Sequence, residues 1–213
     1  MKNLAIILLL LAQSVEAQWN LIWSDEFDSS ALNTQYWTPE IGTGTWGWGN
    51  NELQYYTSST DNVHLDSGYL HIVAKEVQVG NSNYTSARII TEDKFDFQYG
   101  RIEARIKVPV DQGLWPAFWM LGSDFPTLGW PHCGEIDIME HVNNETVIHG
   151  THHYDLWGHM YEGGSVSCDA SQFHIYAVEW DSQQIKWLLD GTVYYSTNIG
   201  TCLLYTSPSP RDA

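Results

Sequence analysis

The stretch Arg101-Ile102-Glu103-Ala104-Arg105-Ile106-Lys107-Val108 alternates charged and apolar residues without a break. Successive side chains of a β-strand point to opposite faces, so this period of two is typical of a strand with one buried face and one face in water. No long stretch of the sequence keeps the 3.6-residue period of an amphipathic helix. The pattern therefore predicts an all-β fold.

Short segments rich in β-branched and aromatic residues predict further strands on both sides of this stretch, at 70–74, 147–154 and 174–180. Asp190-Gly191 separates the apolar segments 185–189 and 192–195 and is a strong signal for a tight hairpin turn. Many short strands with turns between them indicate a β-sandwich or a jelly roll. The length of 213 residues, 43% of them apolar, fits one globular domain without an internal repeat.

The run Glu135-Ile136-Asp137-Ile138-Met139-Glu140 places three carboxylates in one short apolar segment. In a regular strand Glu135 and Asp137 share a face, whereas Glu140 points to the opposite one. A β-bulge at Ile138 or Met139, which adds one residue to the strand, would bring Glu140 back to the face of the other two acids. We therefore predict that the three acids line one groove.

This spacing suits a retaining glycoside hydrolase. The backbones of Glu135 and Glu140 would lie roughly 13 Å apart, and two long side chains leaning together could bring the carboxyls to about 5 Å. One carboxylate then attacks the anomeric carbon while the other, held protonated, gives its proton to the departing oxygen. Asp137 between them would raise the pKa of the protonated carboxyl and orient the nucleophile. A solvated acidic strand face and a calcium site remain open as alternatives.

The surrounding segment 114–154 resembles glycoside hydrolase family 16, and within it the laminarinase-like endo-β-1,3-glucanases. The matching motifs are LWPAFWMLG at 114–122, GWP at 129–131 and GEIDIME at 134–140. Members with β-1,3 specificity carry the extra residue between the second and third acids. The resemblance implies that Glu135 is the nucleophile, Asp137 the assisting acid, and Glu140 the general acid and base.

The resemblance covers most of the chain and implies a concanavalin A-like β-jelly roll with the groove on its concave sheet. Further family blocks follow in the right order at 23–28, 49–57, 86–88, 99–105, 150–153 and 173–180. It also implies substrate-contacting residues, namely Asn50, Glu52, Arg88, Trp115, Trp130 and His153. On the residues alone, the two tryptophans fit the core equally well, and Arg88 could bind sugar, hold a catalytic carboxylate or form a salt bridge.

The net charge of −17, from 26 acidic and 9 basic residues, argues against binding to nucleic acid and favours a neutral or cationic partner. The implied partner is a β-glucan polysaccharide, whose apolar ring faces suit some of the eleven Trp and twelve Tyr. We expect a monomer without a cofactor. A zinc site of His149, His153 and Asp137 lacks paired-ligand spacing and is disfavoured. A structural calcium at Glu26 and the Gly68 carbonyl stays open.

The amino terminus predicts a secretory signal peptide at 1–17: Lys2 precedes an apolar run over 4–12, and Val15-Glu16-Ala17 is a small-residue cleavage site. We therefore expect a secreted protein that starts at Gln18 and has no membrane anchor. In an exported protein Cys133 and Cys168 can form a disulfide, but a buried free Cys133 fits the sequence equally well.

Residues 202–213 do not resemble the family and look like a translated sequencing adapter. We therefore expect a non-native tail there, and a catalytic domain over 18–201 that lacks the family's C-terminal strands. Such a chain would expose strand edges and apolar surface. Our expectation is that it folds poorly or is inactive, while its full-length parent is an enzyme.

Two other functions are compatible with the resemblance. A non-catalytic β-glucan recognition protein would share the fold, but such proteins typically lose the catalytic acids that are present here. A β-glucan transglycosylase would use the same covalent intermediate and transfer the sugar to another sugar instead of water. Product analysis separates transfer from hydrolysis.

Overall fold

The computed structural model of the chain describes residues 19–199 and the backbone of residues 210–212. The predicted signal peptide, the start at Gln18 and most of the predicted tail, including Cys202, lie outside the described residues. Within the described part, no helix is long and apolar enough to cross a membrane.

Nearly all regular structure is β, as predicted. The strands are β1 (Thr38–Pro39), β2 (Gln54–Tyr56), β3 (Val63–Asp66), β4 (Tyr69–Ile72), β5 (Tyr84–Ser86), β6 (Ile89–Ile90), β7 (Gly100–Ile106), β8 (Ala117–Gly122), β9 (Glu135–Glu140), β10 (Val147–Asp155), β11 (His159–Ser167), β12 (His174–Trp180), β13 (Gln184–Leu189), β14 (Thr192–Asn198) and β15 (Pro210–Asp212). One short helix, α1 (Phe125–Leu128), and a π-helical turn at Gly47–Asn51 complete the list.

Two antiparallel sheets form the body of the molecule. The five-stranded sheet has the order β11-β10-β9-β8-β15, and the four-stranded sheet has the order β14-β13-β12-β7. The three small sheets β1-β6, β2-β5 and β3-β4 each have two strands. β15 falls within the segment predicted to be a non-native tail, and its backbone pairs with residues 120–122 of β8. The catalytic candidates all lie on β9, in the middle of the five-stranded sheet.

The main core lies between these two sheets. β10 shows why: its residues alternate strictly between buried and partly exposed positions, so one face packs inward and the other stays open. The two sheets contribute similar sets of buried apolar residues, which are Met120, Ile136, Ile138, Met139 and Ile148 from one and Tyr176, Val178, Ile185 and Trp187 from the other. Burial of each such side chain contributes about 1.5–3 kcal/mol.

Two local predictions are confirmed at residue level. The alternating stretch 101–108 forms β7 over most of its length, and β7 pairs one to one with β12. Asp190 and Gly191 form the turn between β13 and β14, with φ angles of 48° and 77°. A turn of this kind needs positive φ at both central residues, which Asp and Gly tolerate.

Of the two alternatives for Cys133 and Cys168, the structure favours free thiols over a disulfide. Cys133 lies just before the start of β9, whereas Cys168 follows the end of β11 that pairs with the start of β10. The two thiols therefore sit at opposite ends of the five-stranded sheet, beyond the reach of a disulfide. Cys133 is buried, as the alternative predicted, and burial raises the pKa of its thiol to about 12.

Candidate active site

The predicted bulge is present in β9. Its register shifts against both neighbours: Phe118 and Trp119 of β8 pair with Met139 and Asp137, so Ile138 is the extra residue. On the other side, one residue of β10 separates the partners of Asp137 and Glu140, where β9 has two. The bulge therefore shifts the alternation of side chains after Asp137 by one position.

This shift sorts the side chains of β9 into two sets. Ile136, Ile138 and Met139 belong to the buried apolar core between the sheets. Asp137 is also deeply buried, and the remaining acids, Glu135 and Glu140, are partly exposed. Three carboxylates thus share the face of β9 that is turned away from the core.

Glu140 is held by a tryptophan from the segment before β8. The indole Nε1 of Trp115 donates a hydrogen bond of 2.7 Å to Oε1 of Glu140. Because the indole N–H stabilises the ionised carboxylate, it opposes the effect of burial on Glu140. Trp115 itself is about half exposed, at 49%, so the alternative that it packs in the core is not supported, and its ring face is open to a ligand.

Asp137 contacts the first of two linked histidines. Nε2 of His153 lies 3.1 Å from Oδ2 of Asp137, and Nδ1 of the same ring lies 2.9 Å from Nε2 of His159. The ring of Trp130 covers this pair, with its centroid 4.4 Å from that of His159 and 6.1 Å from that of His153. Asp137 therefore sits between the two glutamates and a chain of imidazoles.

Burial and mutual repulsion raise the pKa of all three acids. Burial raises the pKa of Glu135 to about 8, and the charge of Asp137 adds to the effect. Burial also raises the pKa of Asp137 well above its usual range, with a further contribution from the charge of Glu140. The pKa of Glu140 is raised by burial in the same way. The cluster consequently retains a proton near neutral pH, which a general acid requires.

The structure gives Arg88 the third of its predicted roles. Its guanidinium forms a salt bridge with Glu40 and lies 4.1 Å from the centroid of the Trp48 ring and 5.3 Å from that of Trp119. Trp119 is in turn the β8 partner of Asp137. Among the described residues Arg88 forms no salt bridge with a catalytic carboxylate, and its contact with substrate stays a prediction.

The polar residues around β2, among them Asn50 and Glu52, lie on the same side of the molecule as the Arg88 guanidinium. The Glu52 carboxylate accepts hydrogen bonds from Tyr56 Oη, at 3.0 Å, and from Gln54. Asn50 is exposed in the turn at Gly47–Asn51. Contacts of Asn50 and Glu52 with substrate stay predictions.

Two residues of β11 lie next to the site, although the sequence did not predict them as site residues. His159 binds His153, and Tyr161 pairs with His153 across the two strands with its ring centroid 6.0 Å away. Tyr161 is strongly exposed, at 68%. An alternating pattern could not have revealed them, because the first five residues of β11, from His159 on, are all exposed.

One group of side chains could hold a metal ion. Ligand atoms of Glu135, Asp137 and His153 all lie within 4.8 Å of one another. His149, the other histidine considered for zinc, instead contacts Glu145 with its Nε2 at 2.7 Å. The three zinc candidates are therefore not brought together as one ligand set in the described part of the chain.

Comparison with known proteins agrees with this geometry. Residues 45–202 match the sequence model of the family described as Glycosyl hydrolases family 16. The chain belongs to this family. It is 44% identical over 188 residues to the Beta-glucanase of Rhodothermus marinus, and the match covers 83% of this chain and 65% of that protein. It is 39% identical to the Clotting factor G alpha subunit of Tachypleus tridentatus, with 87% of this chain and 28% of that protein covered. The chain thus spans less than two thirds of these relatives.

The solved structures give the same assignment. The laminarinase catalytic domain from Thermotoga maritima matches with a TM-score of 0.81 and 37% identity, over 91% of this chain and 84% of that one. This likeness, over almost the whole described chain, confirms the predicted family 16 jelly roll.

Proposed function

We propose that this chain carries the catalytic site of an endo-β-1,3-glucanase that hydrolyses laminarin-type glucans with retention of configuration. The observation that carries the proposal is the bulge of β9, which places Glu135, Asp137 and Glu140 on one face. Membership of glycosyl hydrolase family 16 and the likeness to a laminarinase support it.

In the first step, Glu135 attacks the anomeric carbon and Glu140 donates its proton to the departing glycosidic oxygen. The carbon–oxygen bond of the glucan breaks as an ester bond to Glu135 forms. In the second step, ionised Glu140 takes a proton from water, and the resulting hydroxide displaces Glu135 from the sugar. Glu140 ends protonated and Glu135 ionised, which is the state from which the cycle starts. Because burial raises the pKa of Glu135 to about 8 in the substrate-free site, Glu135 must lose its proton before it attacks, while the proton used in the reaction lies on Glu140.

The neighbours of the two glutamates suit this cycle. Glu140 must both give and take a proton, and the Trp115 hydrogen bond stabilises its ionised form against the effect of burial. Asp137 repels charge on Glu135, and the contact between its carboxylate and His153 fixes its position. The site thereby keeps one proton available when the substrate arrives.

Exposed aromatic rings around the acids suit a neutral sugar polymer. Trp115 and Trp130 are 49% and 44% exposed and flank the two ends of the acid cluster, where each ring can stack on a sugar face. The net charge of −17 disfavours anionic polysaccharides. We further propose that the protein is secreted and acts as a monomer.

The decisive experiment is reducing-sugar release from laminarin by the full-length parent protein, by its Glu135→Gln variant and by its exposed-acid control variant Glu76→Gln. We expect release by the wild type and by the control, and its loss in Glu135→Gln. NMR of the first product should show the β-anomer, because double displacement retains configuration. A wild type that binds laminarin without cleaving it would favour a recognition protein, and longer oligomers among the products would favour a transglycosylase.

A further inference from the structure

One hydrogen bond joins the four-stranded sheet to the backbone of the catalytic strand. The indole Nε1 of Trp187, in β13, donates a hydrogen bond of 2.7 Å to the carbonyl oxygen of Asp137. Trp187 is completely buried. This carbonyl belongs to the residue directly before the bulge, where the ladder of β9 is interrupted. The indole therefore satisfies a buried acceptor at the point where strand pairing is disrupted.

The strand β10, which neighbours β9 in the same sheet, leaves space for this indole. Gly150 of β10 lies between the partners of Asp137 and Glu140, level with the bulge. A Cβ atom on Gly150 would lie 2.3 Å from Cδ1 and 2.7 Å from Nε1 of Trp187. No other residue fits there without displacing the indole, so glycine is required at this position for space.

The bulge matters differently for the two glutamates. Glu135 lies before it and is held by regular pairing with Leu121 and His153. Glu140 lies after it, so its face depends on where the extra residue sits. If the bulge moves or becomes mobile, the general acid and base loses its alignment, while the nucleophile keeps its own.

We propose that Trp187 is a positioning residue for catalysis, whose indole N–H holds the β9 bulge in the register that presents Glu140 beside Glu135. The proposal rests on the retaining hydrolysis proposed above. Trp187 touches no reacting atom and acts through the backbone of β9. Gly150 contributes to the same positioning because its lack of a side chain leaves room for the indole.

Trp187→Phe tests this by removing the N–H donor while keeping an aromatic ring. We expect kcat for laminarin to fall about 100-fold with little change in KM, since positioned acid–base groups contribute rate factors of about this size. The dinitrophenyl glycoside of laminaribiose has a leaving group that departs without a proton. Its pre-steady-state burst of dinitrophenolate, which reports attack by Glu135, should change less than about threefold.

Two further replacements show whether an effect of Trp187→Phe comes from the lost hydrogen bond or from misfolding of that variant. Benzothienylalanine at position 187 has a sulfur in place of the N–H at nearly the size of tryptophan, and should reproduce the defect. Gly150→Ala should also reproduce it by displacing the indole. Trp180→Phe is the matched control, because the buried Nε1 of Trp180 has no hydrogen-bond partner among the described residues. It should leave both rates unchanged.

The outcomes separate this inference from the proposed function. Equal losses of laminarin turnover and of the burst would mean a general structural role for Trp187, and unchanged kcat in the Trp187→Phe and benzothienylalanine proteins would make the hydrogen bond dispensable. Either result, with an active wild type, overturns this inference alone. A wild type that gives neither sugar release nor a burst overturns the proposed function and this inference with it.

Discussion

β7 and β9 are both short antiparallel strands that carry charge, but they use it in opposite ways. β7 pairs one to one with β12, and its Arg101 binds Glu103 and Glu179 of opposite charge, each at 2.7 Å. β9 loses register with both neighbours and carries three acids whose pKa values are all raised by burial. Paired charge on a regular strand serves the fold, whereas like charges gathered on an irregular strand cost stability and indicate a site of chemistry.

The largest effect that separates the two strands is on activity. Glu135→Gln in β9 should lower kcat for laminarin by at least about 1000-fold, because the nucleophile of the covalent step is lost. Glu103→Gln in β7, which removes a carboxylate from a strand of the other sheet, should leave kcat unchanged. Steady-state kinetics on both variants checks this. Comparable losses in the two would mean that the acids of β9 have no special role.

A smaller effect concerns the tuning of Glu140. Trp115→Phe removes the hydrogen bond that lowers the pKa of Glu140, so this pKa should rise further. The alkaline limb of the kcat/KM profile, which reports loss of the proton from the general acid, should then move to higher pH. We also expect kcat to fall about 10-fold, since a carboxyl with a higher pKa is a weaker acid and gives its proton less readily to the departing oxygen. A limb that moves to lower pH would contradict this assignment.

The three like charges of the β9 acids should also affect the thermal stability of the protein. The pKa of Glu135 is about 8 in the folded protein, above its usual value, so between about pH 4.5 and 8 the folded state holds a proton that the unfolded state releases. Stability from this group is therefore present at low pH and is lost as pH rises through 8. Glu135→Gln should raise Tm by about 5 °C at pH 8 and leave it nearly unchanged at pH 4. Thermal unfolding followed by circular dichroism measures both values.

The smallest effect belongs to β7. Glu179→Gln breaks one ion pair of Arg101, whose partners are both partly exposed to solvent. We expect a loss of about 0.5 kcal/mol or less in the free energy of unfolding, and no change in kcat. Urea denaturation together with the laminarin assay tests this. A loss of activity would show that the charges of β7 are coupled to the catalytic strand after all.

Both strands were predictable from local patterns. The alternation of 101–108 requires only the two-residue period of a strand, and Asp190-Gly191 requires only the positive φ angles of a tight turn. Even the bulge follows from counting, because three acids at 135, 137 and 140 reach one face only if the strand gains a residue. The family resemblance assigned their roles, which still await the kinetic test.

Contacts between distant segments were not predictable in this way. The partner of Arg88 is Glu40, and Cys133 and Cys168 lie at opposite ends of one sheet, although both facts concern residues that the sequence analysis had singled out. Strand order decides such pairings, and a period along one strand carries no information about which strand comes to lie beside it.

The periodicity and spacing of residues along the chain thus determine the β class, the main turn and the acid-bearing strand, because these depend on the geometry of neighbouring residues. Only the tertiary structure decides what surrounds the acids and what holds their strand. Trp187 follows Asp137 by fifty positions and reaches its carbonyl only because the two sheets pack together and Gly150 of the neighbouring strand β10 leaves room for the indole. Burial raises the pKa of Glu135, and this burial exists only once segments distant in the sequence have packed around β9.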